Sequence, residues 1–183
     1  MTPRAITIRL AEPRDAQAIA MMSRDFIEAG LGWKYDAARV MRAIRDRETL
    51  CVVACESGKA ASTSTAAGAR GAITGFAIME FGDERAHLVL LAVRPSHQRQ
   101  GIARRIVAWL VESALVAGMT SIRVELRASN RSAHAFYRAI GFFEALRVPG
   151  YYQGREAAVR MIRVLTMPTV TEPPWRPPDR DPR

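Results

Sequence analysis

Two features of the sequence could do chemistry, and the first is a basic, glycine-containing loop at residues 98–103, Gln-Arg-Gln-Gly-Ile-Ala. An apolar strand precedes the loop, and the apolar spacing typical of an amphipathic helix follows it from about Gly101. A helix that begins there leaves backbone N–H groups unpaired, and its dipole favours negative charge. Gly101 and Ala103 add little bulk, while Arg99 and Arg104 add positive charge. The loop is therefore predicted to bind an anionic diphosphate.

The second feature is Glu125, which lies in the run Ile-Arg-Val-Glu-Leu-Arg at residues 122–127. In a strand, alternation places the three apolar side chains on one face and Arg123, Glu125 and Arg127 on the other. A central strand is normally covered on both faces, so a charged face indicates an open cleft in which a carboxylate can act as a base. The arginines favour the ionised form. A solvated ladder of alternating charges explains the same pattern, and periodicity alone leaves both interpretations open.

The elements that must position these residues alternate as in one α/β domain over residues 1–165. Hydrophobic periodicity predicts strands at 5–9, 50–56, 73–81, 85–93, 121–127, 142–148 and 157–165, and helices at 16–29, 35–45, 101–117 and 132–140. The strand at 88–93 carries no polar side chain, which predicts cover on both faces. Residues 57–71 predict an exposed loop, and the proline-rich residues 166–183 predict a tail without regular structure.

The loop Gln-x-x-Gly-x-Ala resembles the acetyl-coenzyme A signature of the GNAT superfamily of N-acetyltransferases. An ordinary strand, turn and helix with a glycine at the joint is the alternative. Residues 124–130, 135–137, 140–142 and 149–152 further resemble bacterial ribosomal-protein alanine N-acetyltransferases, and the likeness covers residues 88–161. The resemblance implies an acyl-CoA N-acyltransferase fold, with a mixed, mostly antiparallel seven-stranded sheet flanked by helices. It also implies acetyl transfer from acetyl-CoA to a primary amine.

The resemblance also implies roles for individual residues. Glu125 matches the proton acceptor of that family, and Tyr137 matches its proton donor, although a core tyrosine at helical spacing is the default in an unknown fold. The positions that match coenzyme A contacts are Leu91, Ala92, Val93, Arg99, Gln100, Gly101, Ile102, Ala103, Arg104 and Asn130. A backbone N–H near the end of the 85–93 strand would bind the developing oxyanion.

The acceptor is less well defined than the acetyl donor. Residues 28–33 replace the aromatic-proline-tryptophan turn associated with the ribosomal-protein enzymes, and the 57–71 loop is longer than a hairpin needs. Trp33, Tyr35, Tyr151 and Tyr152 are candidates for acceptor contact, with plain packing as the alternative for each.

The composition of the chain bears on its partners, on metal binding and on its location. The chain has 183 residues, a formal charge of +9 and a pI near 10.7, which favours anionic partners without choosing among coenzyme A, an acidic surface and nucleic acid. Cys51 and Cys55 are predicted to be small buried hydrophobes. The three histidines show no ligand spacing, so no metal is expected. No apolar run approaches membrane-spanning length, and we expect a soluble, cytoplasmic protein.

The sequence thus predicts an acetyl-CoA-dependent N-acetyltransferase whose first-choice acceptor is a protein or peptide N-terminus. A small-molecule amine is the alternative within the enzyme class, and a deep acidic pocket would favour it. A basic RNA- or ribosome-binding module that has lost activity is the alternative from another class, although the dispersed aromatic residues make nucleic acid an unfavoured partner. The sequence leaves open whether the chain acts alone or as a homodimer.

Overall fold

The computed structural model describes residues 5–56, 71–152, 154 and 156–166. Its strands are β1 (Ile6–Leu10), β2 (Thr49–Glu56), β3 (Ile73–Phe81), β4 (Arg85–Val93), β5 (Ser121–Arg127), β6 (Phe143–Tyr152) and β7 (Glu156–Val164). Its helices are α1 (Ala16–Phe26), α2 (Ala37–Arg45), α3 (Ile102–Val116) and α4 (Arg131–Ala139). Almost all of the predicted 57–71 loop and 166–183 tail lies outside the described residues.

The seven strands form one sheet in the order β1-β2-β3-β4-β5-β7-β6. Every neighbouring pair is antiparallel except β4 and β5, which confirms the predicted mixed, mostly antiparallel sheet. The parallel pairing of β4 with β5 is short: it begins with Arg85 opposite Ser121 and ends with Leu88 opposite Val124. Beyond these residues the two strands separate, and the second half of β4 has an open edge towards β5.

A β-bulge at Val89 decides which face of the sheet each β4 side chain meets. In the β3–β4 register Met79 lies opposite Leu88 and Ile78 lies opposite Leu90, so Val89 has no opposite residue. Because side chains alternate along a strand, this extra residue reverses the faces that follow it. Leu88 therefore packs in one hydrophobic core and Leu90 in the other. The prediction that this apolar strand is covered on both faces is confirmed.

One core lies on each face of the sheet. The side chains of α3 form much of the first core, with Ile106 and Leu110 at most 1% exposed. The second core contains α1, α2 and one face of β2, where Cys51 and Cys55 are both buried and form no disulfide with each other, as predicted.

The turn between α1 and α2 differs from the sequence prediction. Helix α1 ends at Phe26 rather than at residue 29, and α2 begins at Ala37, after Tyr35. The side chain of Asp36 caps α2, since its Oδ1 accepts a hydrogen bond from the Arg39 N–H at 2.7 Å. Apolar spacing runs on through Ile27 and so extended the predicted helix, but the contacts of the next residue, Glu28, end it.

Candidate functional site

A cavity of about 480 Å³ lies where β4 and β5 separate. The α1–α2 turn, α4 and the end of β6 complete its walls. The predicted site residues that line this cleft are Tyr35, Leu91, Glu125, Asn130, Tyr137, Tyr151 and Tyr152. Residues from six separate elements or turns are thus brought to one place.

Other predicted site residues do not line this cavity. Ala92 and Val93 are buried in the cores, so any contact from them would come through the backbone. Trp33 lies outside the cavity lining, with its indole N–H donating to the Tyr35 carbonyl at 3.1 Å and the Arg24 guanidinium over its ring. The 99–104 loop follows β4 past the split in the sheet, at the start of α3.

The carboxylate of Glu125 is held by two partners that lie far away in sequence. Arg160 on β7 donates from Nε at 3.0 Å and from Nη2 at 2.7 Å, both to Oε1. The hydroxyl of Tyr151 donates to Oε2 at 2.8 Å. Burial alone would raise the pKa of Glu125, but the hydrogen bonds from Tyr151 and Arg160 outweigh it, and the pKa is lowered. Glu125 is therefore ionised at neutral pH.

The two arginines next to Glu125 in sequence contribute little to this charge balance. Arg123 approaches Oε1 of Glu125 only to 3.9 Å. Arg127 turns away from Glu125 and donates from Nη2 to the Ala29 carbonyl at 2.8 Å, which ties β5 to the α1–α2 turn. The ionised form predicted from the sequence is thus favoured by Arg160 on the neighbouring strand, opposite Glu125 in the β5–β7 register.

Tyr137 reaches the same cleft from α4. It lies one helical turn after Ala133, which also lines the cavity, and its ring contacts Phe136 and Phe142 edge to face at 5.2 Å. The side chain of Asn130 caps this helix, accepting from the Ala133 N–H at 3.0 Å. Burial raises the pKa of Tyr137, so its hydroxyl stays protonated and is able to donate a proton.

His87 also lines the cleft, although its position in the sequence indicated no site. It lies opposite Arg123 in the β4–β5 register, and an Arg123 N–H faces its Nδ1 at 3.4 Å. Burial, followed by the charge of Arg123, lowers the pKa of His87. The imidazole is therefore neutral at pH 7.

A buried carboxylate organises the α1–α2 turn. Glu28 is 7% exposed and accepts hydrogen bonds from the Ser23 hydroxyl at 2.9 Å, the Lys34 N–H at 2.7 Å and the Tyr35 N–H at 3.2 Å. Glu28 thereby fixes the backbone of Lys34 and Tyr35 to the end of α1, and this places Tyr35 beside the cleft.

The start of α3 suits an anionic ligand. Gly101 precedes the helix with φ of 78°, and Arg99 has φ of 64°. In the described part of the chain no side chain caps this helix end, and the Arg105 N–H makes a helical bond to the Gly101 carbonyl at 3.0 Å. The N–H groups of the three residues between them have no intrahelical partner. Such N–H groups are suited to hold a diphosphate, and the assignment of this loop to the diphosphate stays a prediction.

A sheet split between two parallel strands beside an uncapped helix start defines the class of acyl-CoA N-acyltransferase folds. The E. coli ribosomal-protein-S18-alanine N-acetyltransferase shares this fold, with a TM-score of 0.72 and 25% identity over 91% of this chain and 98% of that one. The Arabidopsis thaliana NAA60 structure with a bisubstrate analogue also shares it, with a TM-score of 0.72, 15% identity, and 87% and 98% coverage.

Sequence comparison agrees with the fold. The Acetyltransferase (GNAT) family matches residues 21–142, and the chain belongs to this family. The [Ribosomal protein bS18]-alanine N-acetyltransferase of E. coli K12 is 36% identical over 100 residues, which are 53% of this chain and 68% of the relative. The Arabidopsis thaliana N-alpha-acetyltransferase MAK3 is 27% identical over 109 residues, 57% of each chain. The protein is an acetyl-CoA-dependent N-acetyltransferase of the GNAT type.

Sequence reasoning missed Arg160 and Glu28. Arg160 interrupts a mostly apolar strand, which was a usable signal, whereas nothing distinguished Glu28 from an exposed helical residue. Among the described residues, no group of three or more histidine, cysteine or acidic side chains could hold a metal ion. Within the same ranges, no helix is long and apolar enough to cross a bilayer.

Proposed function

We propose that this N-acetyltransferase modifies the free N-terminal amine of a protein or peptide. The observation that carries the proposal is that, among the residues the structure describes, the cleft offers no free acidic side chain. Of its lining residues only Glu28 and Glu125 are acidic. Glu28 is occupied by Ser23 and two backbone N–H groups, and Glu125 by Arg160 and Tyr151. A small polycation would need free carboxylates, which this lining does not supply.

The relatives support the same class of acceptor. The E. coli relative carries the name of an alanine N-acetyltransferase for a ribosomal protein, and the Arabidopsis relative that of an N-alpha-acetyltransferase. Tyr151 and Tyr152 stand beside the cleft as an edge-to-face pair, with ring centroids 5.1 Å apart. Such rings are suited to border a groove for an extended peptide.

The residues present fit acetyl-CoA as co-substrate. The diphosphate would be held by backbone N–H groups at the start of α3, with Arg99, Gln100 and Arg104 exposed around it. The open edge of β4, including Leu91, would pair with the pantetheine arm. Asn130 uses its Oδ1 to cap α4, so its amide NH₂ would make the contact with the cofactor.

The chain's own groups can supply the proton transfers. Glu125 would accept a proton from the acceptor ammonium, which leaves a neutral amine able to attack the thioester. A backbone N–H of β4 past the bulge at Val89 would stabilise the oxyanion. Tyr137 would protonate the leaving thiolate.

The test is thiol release by the purified full chain with acetyl-CoA and defined acceptors. We expect acetylation of hexapeptides with a free N-terminal residue, located on Nα by mass spectrometry. The same peptides with a blocked N-terminus and an internal lysine should not react, nor should spermidine. Turnover of spermidine alone would assign the protein to small amines, and absence of transfer to every acceptor would overturn the proposal.

A further inference from the structure

We propose that Tyr151 is a catalytic residue that carries the acceptor's proton to Glu125. This inference rests on the proposed function, and it assigns to the end of β6 a part in a step for which the sequence suggested Glu125, acting directly or through water.

The two oxygens of Glu125 have different partners. Oε1 accepts both hydrogen bonds from Arg160, at 3.0 and 2.7 Å. Oε2 accepts the hydroxyl of Tyr151 at 2.8 Å. A guanidinium cannot give up a proton at neutral pH, so Oε1 stays committed to Arg160. Oε2 is therefore the oxygen able to receive a proton, and the Tyr151 hydroxyl is hydrogen-bonded to it.

The direction of the Tyr151 hydrogen bond is set by the charge of its partner. An ionised carboxylate only accepts hydrogen bonds, so the Tyr151 hydroxyl must donate its proton to Glu125. The lone pairs of the Tyr151 Oη then remain to accept from another donor. An ammonium group has only donors to offer. The chain of bonds from an ammonium N–H to the Tyr151 Oη, and from the Tyr151 O–H to Glu125, is thus oriented for proton transfer in one direction.

Exposure points to the same order of groups. The side chain of Glu125 is 13% exposed, whereas Tyr151 is 50% exposed and lines the cleft. An acceptor that enters from solvent meets the hydroxyl before the recessed carboxylate.

An irregular stretch of backbone near the end of β6 allows Tyr151 to reach Glu125. β7 lies between β6 and β5 in the sheet, so Tyr151 must reach across it. The β6–β7 register shifts between Val148 and Tyr152, and Gly150 has φ of 67°. This left-handed residue lets the strand bend directly before Tyr151.

The transfer balances in protons. One ammonium N–H bond breaks as its proton bonds to the Tyr151 Oη, and the original Tyr151 proton moves to Oε2 of Glu125. The nitrogen keeps the electron pair with which it forms the bond to the thioester carbon. Tyr151 ends unchanged, and Glu125 later releases its proton to solvent. The hydrogen bond to Glu125, with burial, raises the pKa of Tyr151, so its hydroxyl is protonated when the acceptor arrives. Because the two protons shift together, no free tyrosinate forms.

The experiment compares Tyr151→Phe, Glu125→Gln and the double variant, with acetyl-CoA and a hexapeptide that has a free N-terminal alanine. We expect each single variant to lower kcat at pH 7 by about 100-fold, and the double variant by no more than about 100-fold, since the two groups act as one unit. Above pH 9 the loss should shrink, because an α-amine with a pKa of about 8 is already neutral there.

The control is Glu144→Gln, the same change in an exposed carboxylate on β6 that contacts His134 and Arg147, which should leave kcat unchanged. Coenzyme A affinity by calorimetry should stay at the wild-type value in all variants, which shows that they fold. A raised KM with unchanged kcat in Tyr151→Phe, or a loss of about 10⁴-fold in the double variant, would overturn the relay while leaving the proposed function intact. Wild-type protein that acetylates no acceptor would overturn both.

Discussion

Replacing Glu28 by glutamine tests whether the buried carboxylate shapes the acceptor side of the cleft. Its Oε2 accepts from the Ser23 hydroxyl and the Tyr35 N–H, and its Oε1 from the Lys34 N–H. A glutamine can keep an oxygen at the Oε2 position, but its NH₂ group then faces the Lys34 N–H. One hydrogen bond to a charged group is lost and one backbone donor is left unpaired. We expect a loss of about 2–3 kcal/mol in the free energy of unfolding.

Urea unfolding and steady-state kinetics measure this effect together. The affinity for coenzyme A should stay unchanged, because α1 and α2 pack in the core on the opposite face of the sheet from α3. The KM for the acceptor peptide should rise, because the backbone at Lys34, directly before Tyr35, loses its hydrogen bond to Glu28. Glu112→Gln is the matched control, since Glu112 is exposed on α3, and it should change stability by less than about 0.5 kcal/mol.

Ser23→Ala refines the test, because Ser23 is fully buried and donates to the same oxygen. Its effect and that of Glu28→Gln should be less than additive, since the two residues share one hydrogen bond. The reasoning is refuted if Glu28→Gln and Glu112→Gln are equally stable and the acceptor KM does not move.

Three further predictions concern other parts of the molecule. Gly101→Ala should weaken coenzyme A binding in calorimetry and destabilise the chain by about 1 kcal/mol, because alanine is strained at φ of 78°; an unchanged affinity would remove the α3 start from the site. Tyr137→Phe should slow turnover with coenzyme A binding unchanged, whereas a matching loss of binding would indicate packing alone. Asp15→Asn should lower the free energy of unfolding in urea by about 2 kcal/mol, because Asp15 is 6% exposed and pairs with Arg9 at 2.6 Å. The control is Asp25→Asn, in an exposed pair with Arg24, which should lower it by less than about 0.5 kcal/mol. Burial alone would raise the pKa of Asp15, but Arg9 and a backbone N–H lower it. The stability that the ion pair contributes is therefore fully present above the unfolded pKa of about 3.9 and should disappear as the pH falls below that value. A stability difference between wild type and Asp15→Asn that does not change with pH would contradict this assignment.

The limits of the sequence prediction are clearest at Glu125. Alternation along the strand placed its side chain on a charged face, and the resemblance to a known family suggested its role. The predicted source of its ionisation was the adjacent arginines, but Arg160 is the principal cationic partner, and it lies 35 residues away. Only the β5–β7 register brings the two together, and a register cannot be obtained from either strand alone.

The α1–α2 turn shows the same limit at a shorter range. The apolar spacing of α1 continues to Ile27, so periodicity extended the helix to residue 29. The chain leaves the helix because Glu28 finds better partners in Lys34 and Tyr35 than in solvent. Such competition depends on burial, which the spacing of apolar residues does not report.

The sequence alone determined the features that arise from neighbouring residues. These are the alternation of strands and helices, the apolar residues 88–93 of β4, and the loop before α3 that is proposed to bind phosphate, since N–H groups at a helix start are unpaired in any fold. The tertiary structure decided the rest: the bulge at Val89, the separation of β4 from β5, and the meeting of Tyr151 and Arg160 on Glu125. These depend on how distant strands pair and where the pairing ends, which is a property of the assembled sheet rather than of any one segment.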